Sequence, residues 1–267
     1  MIILKEIIKK ISMLLLICFS FFYADKVMTL IDNKSSLMRE LIEDSSKYDI
    51  EVVNATLYDD TIIPGINGRK VNIKKSFDNM KKDNYIVEEK LIYDGIIPSD
   101  TLVNNKDKYI IKGNDNKKEV SIILIVSDNN INKINNVKDM TLFLDHNLIT
   151  IKNINKLKEN ELYTYGNNGI YNNNILDNDN LLINRLANNN SSYCLSKEKN
   201  EDILNICSSR DMYTIIPNII GGYNEIKNKL TNGSIILLNN INDIDNIIKY
   251  IESKGYTLVP LSILLKE

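Results

Sequence analysis

The sequence predicts an α/β protein built on a largely parallel sheet or barrel. Three observations carry that expectation. Apolar runs of strand length recur from Val120 onward, each closed by Asn, Asp or Gly. Segments with apolar residues at helical spacing lie between them. The stretch from Gly233 to Glu267 spells out a complete strand–helix–strand unit.

At the N-terminus, Lys5, Lys9 and Lys10 precede an apolar run from Ile11 to Ala24, and Asp25-Lys26 follows. Basic residues ahead of an apolar core form a targeting pattern. Residues 1–31 are therefore expected to be an uncleaved signal anchor, or single transmembrane segment, with the lysine end cytoplasmic and the rest of the chain outside, a cleaved signal being the alternative. The expected location is the cell membrane, with the bulk of the chain extracytoplasmic. Export makes the cysteines informative. With Cys18 in the apolar run, Cys194 and Cys207 remain as a pair, and an oxidising compartment predicts a disulfide between them. The formal net charge of −2 leaves no electrostatic footprint for nucleic acid.

Residues 32–117 read as a small α+β region. Ser35 to Lys47 predicts a polar helical stalk with Leu37, Met38, Leu41 and Ile42 on one face. Glu51 to Leu57 is strand-like, and the Pro64-Gly65 and Asn67-Gly68 pairs mark turns. Val71 to Ile73 predicts a short strand and Ser76 to Lys81 a helix. Lys90 to Tyr93 and Tyr109 to Lys112 read as further strands.

From residue 118 to 267 the pattern alternates. Strands are expected at Val120–Val126, Met140–Leu144, Glu161–Tyr165 and Met212–Ile216. Helices are expected at Ile149–Leu157, Asn178–Ala187, Glu201–Cys207 and Glu225–Leu230. The closing unit is the clearest. Ser234 to Leu238 is a buried strand, and Asn239-Asn240 ends it. Ile241, Ile244, Ile247, Ile248 and Ile251 line one helix face, with Asp243 and Asp245 near its start. Gly255 stands where a left-handed cap belongs, and Tyr256 to Val259 is the next strand, parallel to the first.

This closing unit resembles the end of the polysaccharide deacetylase family (the NodB-type homology domain). That family ends on a strand, an LLHD signature, a helix, KGY, and a Leu-Ser-x-Leu-Leu tail. Here Leu237, Leu238, Asn239 and Asn240 stand at LLHD, and Lys254, Gly255 and Tyr256 at KGY. Leu261 to Leu265 match the tail. The resemblance implies an incomplete (β/α) barrel over 118–267, and it implies where the chemistry would sit. The family holds a metal with one Asp and two His beyond the strand ends, with a second Asp as base and a C-terminal His as acid.

Carried onto this chain, the first Asp pair falls on Ile125 and Val126, or on Asp128 and Asn129 if the strand runs longer. The two metal histidines fall on Tyr165 and Gly169, and the acid falls on Asn239. The chain's single histidine, His146, cannot rebuild a two-histidine site. The family's zinc is thus expected to be lost, with no metal ligands and no cofactor. The resemblance then implies a degenerate, catalytically inactive homologue, exported and membrane-tethered, that binds cell-envelope glycan such as peptidoglycan. Its candidate binding residues are Asp128, Asp145, His146, Tyr165, Asn167, Tyr171, Asn239 and Asn240. Two other readings stay open: an active deacetylase with a displaced site on Asp128, Asp145 and His146, and an envelope scaffold that binds another protein.

Overall fold

The computed structural model describes residues 2–32, 34–134, 140–187 and 191–267. It begins with helix α1 (Ile2–Asp32), helix α2 (Ser36–Asp44), and strands β1 (Thr56–Leu57), β2 (Thr61–Ile63) and β3 (Gly68–Val71). Helix α3 (Ile73–Met80) and strands β4 (Tyr93–Ile96), β5 (Tyr109–Ile110), β6 (Glu119–Val126) and β7 (Thr141–Leu144) come next. Then follow α4 (Ile151–Leu157), β8 (Glu161–Thr164), α5 (Asn173–Ala187), β9 (Tyr193–Leu195), α6 (Glu201–Ser208) and β10 (Tyr213–Ile215). The chain finishes through β11 (Ile219–Gly221), α7 (Tyr223–Lys229), β12 (Ile235–Leu238), α8 (Ile244–Ser253), β13 (Thr257–Leu258) and α9 (Leu261–Leu264).

Two compact units result, and they do not divide at residue 117. The smaller comprises Met1–Glu51 and Gly68–Ile97. In it, Leu37, Met38 and Leu41 of α2 pack with Val71, Phe77, Met80 and Leu91 into a separate core. The expected stalk is therefore a packed helix, capped by the Ser35 hydroxyl accepting from Met38 N–H. Antiparallel β3 and β4 complete this unit.

The expected membrane-spanning anchor over 1–31 is not supported. Residues Ile2–Asp32 form one helix, yet among the described residues no helix is long and apolar enough to cross a membrane. The physical reason is length. The run from Ile11 to Ala24 lies between Lys9-Lys10 and Asp25-Lys26, and at about 1.5 Å per residue it covers roughly 20 Å of a core of about 30 Å.

The larger unit, Val52–Asn67 and Pro98–Glu267, holds the α/β architecture. β6 is its axis. On one flank lie β12 and then β11, on the other β7 and then β8, all parallel, while β13 pairs with the first residues of β6. A second sheet, in the order β1-β2-β5-β10-β9, is parallel except for the β1–β2 pair. So β1, β2 and β5, expected in the small region, belong here. Ile62 of β2 and Ile110 of β5 are buried in the same core as Ile123 and Tyr163.

Strand alternation sorts the apolar side chains into two cores. Val120, Ile122, Leu124 and Val126 of β6 pack outward with the helices, beside Ile154, Ile183, Ile226, Ile247 and Ile251. Ile123, Phe143, Tyr163, Tyr193, Ile215, Ile235 and Leu237 point the other way and fill an inner core drawn from both sheets. A row of aromatic contacts crosses it. Phe143 meets Tyr163 at 5.3 Å between centroids, Tyr163 meets Tyr193 at 5.3 Å, and Tyr193 meets Tyr213 at 5.9 Å.

The expected barrel is incomplete, because among the described residues no ladder joins β8 to β9. The Tyr171 hydroxyl spans that seam. It accepts from Leu195 N–H at 3.0 Å and lies 3.1 Å from the Leu195 carbonyl and 3.4 Å from the Thr164 carbonyl. Cys194, on the outer side of β9, forms a disulfide with Cys207 of α6.

The closing strand–helix–strand unit is present as β12, α8 and β13, with Gly255 at φ +75° after the helix. Beyond it α9 plugs the N-terminal end of the strands. Leu261, Leu264 and Leu265 are buried in the inner core. Leu261 N–H donates to the Thr141 hydroxyl, Ser262 N–H donates to Glu161, and the Thr141 hydroxyl itself donates to Glu161. The Glu267 carboxylate accepts from Gly65 and Leu102 N–H.

Candidate functional site

Reactive groups in α/β barrels sit beyond the C-terminal strand ends. At the ends of β6 and β12 this chain has a cavity of about 230 Å³. Ile125, Leu237 and Leu238 supply its apolar wall. Ser127, Asn130, Lys197, Asn239 and Asn240 supply its polar groups. Asn130 is used locally, accepting from Ser127 N–H and donating to the Ile125 carbonyl, and so shapes the turn after β6. The Asn239 amide and the Ser127 hydroxyl have no protein partner among the described residues.

Lys197 was not singled out from sequence, because it follows β9, a three-residue strand with no legible pattern. Its ammonium lies 5.9 Å from the ring centroid of Tyr165, a cation over an aromatic face. It has no carboxylate partner among the described residues. Tyr165 is buried where β8 ends, and burial first, then the nearby Asp145 charge, pushes its phenol above the usual range. Gly169 adopts φ +86°, and a Cβ there would sit 2.9 Å from the Tyr165 hydroxyl. The tyrosine thus fills the space that a histidine would need at 169.

The other expected site residues fall elsewhere. Asp145 caps a short 3₁₀ turn, accepting from Asn147 N–H, and its second oxygen accepts from Asn168 N–H at 2.7 Å. His146 Nδ1 is 2.8 Å from Asp179 of α5. Asp179 is only 3 % exposed and accepts from the Thr164 hydroxyl at 2.6 Å. That network belongs to the helix–sheet layer. Its member Asp179 was invisible in sequence because only packing of α5 on β8 brings it to His146. Tyr171, expected to face a glycan, is consumed at the β8–β9 seam. Burial pushes its phenol well above the ordinary range. Asp128 and Asn167 are exposed on their loops, and neither borders the cavity.

These residues do not fit a zinc ion. Zinc sites use thiolate, imidazole and carboxylate. The cavity offers an ammonium, amides and a hydroxyl, and a lysine charge opposes a cation. Among the described residues no three His, Cys, Asp or Glu side chains gather to hold one. Asp128, Asp145 and His146 lie outside the cavity's lining, and Asp145 and His146 are engaged in the local bonds described above.

An α/β fold of the deacetylase type, with a strand-end cavity lined by amides, a hydroxyl and a lysine, is the class that the structure defines. The comparisons agree at the level of fold. The chain superposes on the wild-type BA3943 structure, described as a CE4 family pseudoenzyme from Bacillus anthracis, with TM-score 0.63 and 21 % identity, covering 88 % of this chain and 96 % of that one. A BA3943 mutant described as having restored enzymatic activity gives TM-score 0.62 at 21 % identity, covering 86 % and 98 %. In sequence, the chain is 33 % identical over 102 residues to the Bacillus subtilis (strain 168) protein YlxY, described as uncharacterized. That match takes in 37 % of this chain and about a third of the relative's length. No family model matches. The resemblance to polysaccharide deacetylases, first seen in the closing unit, is thus shown as a shared fold.

Proposed function

We propose that this chain is a non-hydrolysing, deacetylase-like protein of the cell envelope that binds N-acetylated cell-wall glycan at the strand-end cavity. The observation that carries the reading is the cavity itself. It persists at the place where the fold puts chemistry, and its lining can recognise hydroxyl and amide groups without cleaving anything. Amide hydrolysis needs a polarised carbonyl, an activated water and a proton for the leaving amine. None of Lys197, Asn239, Asn240 and Ser127 supplies that combination. Tyr165, outside the lining, faces the Lys197 ammonium with its ring at 5.9 Å.

Two features support an envelope location. The Cys194–Cys207 disulfide suits an oxidising compartment. Exposed Leu14, Leu16, Phe19, Phe21 and Phe22 on α1 give the protein an apolar segment suited to a membrane surface. The test is sedimentation with purified peptidoglycan alongside an amine-release assay on N-acetylated oligosaccharides. Retention on the glycan without release of amine is the expected result. Turnover with stoichiometric zinc would overturn the reading, and absence of retention would leave the protein-scaffold alternative.

A further inference from the structure

Resting on the glycan reading only for the choice of polymer, we infer that a groove on the outer face of α7 and α8 is a second site for an uncharged glycan chain. The groove, of about 560 Å³, lies between Tyr223, the first residue of α7, and the face of α8 that carries Asp243, Asn246, Lys249 and Tyr250. It shares no lining residue with the strand-end cavity. The sequence dictates that face. Ile244, Ile247 and Ile251 turn one side of α8 into the core, so the residues at 243, 246 and 250 recur along the other. The Tyr223 and Tyr250 rings meet edge to face at 5.3 Å and 65°. Gly222 N–H donates to the Glu225 carboxylate at 3.0 Å, which fixes the first turn of α7 and Tyr223 with it. The Lys254 ammonium lies 5.5 Å from the Tyr250 centroid and braces the second ring. Tyr223 nevertheless stays 37 % exposed, so the aromatic pair is fixed in place and still open to a ligand.

The lining decides the class of ligand. Asp243 and Lys249 cancel in formal charge, which disfavours a phosphate chain. An amphipathic helix needs a continuous apolar groove, and Asp243, Asn246 and Lys249 interrupt this one. A pyranose unit fits both halves. Its C–H face packs on a tyrosine ring, while its hydroxyls donate to the Asp243 carboxylate and accept from the Asn246 amide and Lys249 ammonium. Those three side chains make no hydrogen bond or ion pair among the described residues, and Asp243 does not cap its own helix. The volume lies within the range of drug-sized ligands, which corresponds to about two or three linked units. Position joins the groove to the rest of the reading. α7 starts just beyond β11, and α8 starts beyond β12, whose following residues Asn239 and Asn240 line the strand-end cavity. The groove thus begins at the cavity's end of the sheet and runs down the flank. A polymer that reaches both sites gains avidity over a short oligomer without further contacts.

The chain has no tryptophan, so Tyr223→Trp in the full chain places a single indole in the groove. The experiment titrates that variant with an N-acetylglucosamine tetramer and follows its emission. A saturable shift is expected. Adding Asp243→Ala should weaken it about tenfold, and adding Asn239→Ala, in the strand-end cavity, should leave it unchanged. In the otherwise native chain, Asp243→Ala and Asn246→Ala should each lower retention on peptidoglycan without moving the unfolding midpoint, which keeps the test open if the indole disturbs the groove. No shift, together with full retention of both alanine variants, overturns the second site while the glycan reading stands. A shift that disappears with Asn239→Ala also overturns it, because the indole then reports only the cavity. Absence of both the shift and any retention of the wild-type protein overturns the glycan reading and this inference together.

Discussion

The two ends of the larger unit are built on different terms. At the N-terminal end of the strands, α9 inserts Leu261, Leu264 and Leu265 into the inner core, and the polar groups there are tied together through Thr141, Glu161 and Glu267. At the C-terminal end, Lys197, Asn239 and Ser127 border an open cavity and have no hydrogen-bonding or ionic protein partner among the described residues. The plugged end ties Thr141, Glu161 and Glu267 into hydrogen bonds, although Glu119 Oε2 at the start of β6 is buried without one, and the other end keeps capacity in reserve. The difference teaches that polar residues at the first end belong to stability, whereas those at the second are available to a ligand.

The strongest way to break this contrast is to hollow out the plug. Leu264→Ala should destabilise the protein by about 2–5 kcal/mol, as full burial of a leucine implies, seen as a lowered urea midpoint. Next is the seam. Tyr171→Phe removes the partner of a buried Leu195 N–H and should cost about 1–3 kcal/mol while leaving glycan retention intact. Loss of retention with no change in stability would mean that Tyr171 faces ligand after all.

A smaller effect concerns alkali. Burial raises the phenol pKa of Tyr165, Tyr171 and Tyr193 in the folded state. Such groups contribute full stability below the unfolded value near 10. That contribution is lost as pH rises above it, because the unfolded chain ionises first. Ultraviolet titration should therefore show a late tyrosine fraction that ionises together with unfolding. The smallest expected change is Lys197→Met. An exposed side chain outside any ion pair should leave the unfolding midpoint unmoved while altering ligand binding. A large loss of stability there would erase the contrast between the two ends.

The parallel sheet around β6 was legible because its strands are apolar runs bounded by Asn, Asp and Gly, and the closing unit carries its own cap at Gly255. In the second sheet, β1, β5 and β10 were each legible as strands, but their assembly was not, because β1, β2 and β5 are two or three residues long and find partners far along the chain, as Tyr109 does beside Thr214. β9 and β11, at three residues each, are too short to show a period. The same limit governed the site. The substitutions at Tyr165, Gly169 and Asn239 could be read position by position against a signature. Lys197 required knowing that β9 ends beside β8. His146 looked available because its partner Asp179 lies 33 residues away on another element.

The plug at the base of the strands also sets an order of events. Inner-core residues such as Ile123 and Phe143 stay without their lowest layer until the segment from Leu261 to Leu265 arrives. The first two residues of β6 likewise wait for β13. A chain emerging from the ribosome therefore cannot complete this unit until the segment from Leu261 to Leu265 is free. Late closure leaves the unfinished core in need of protection until α9 docks.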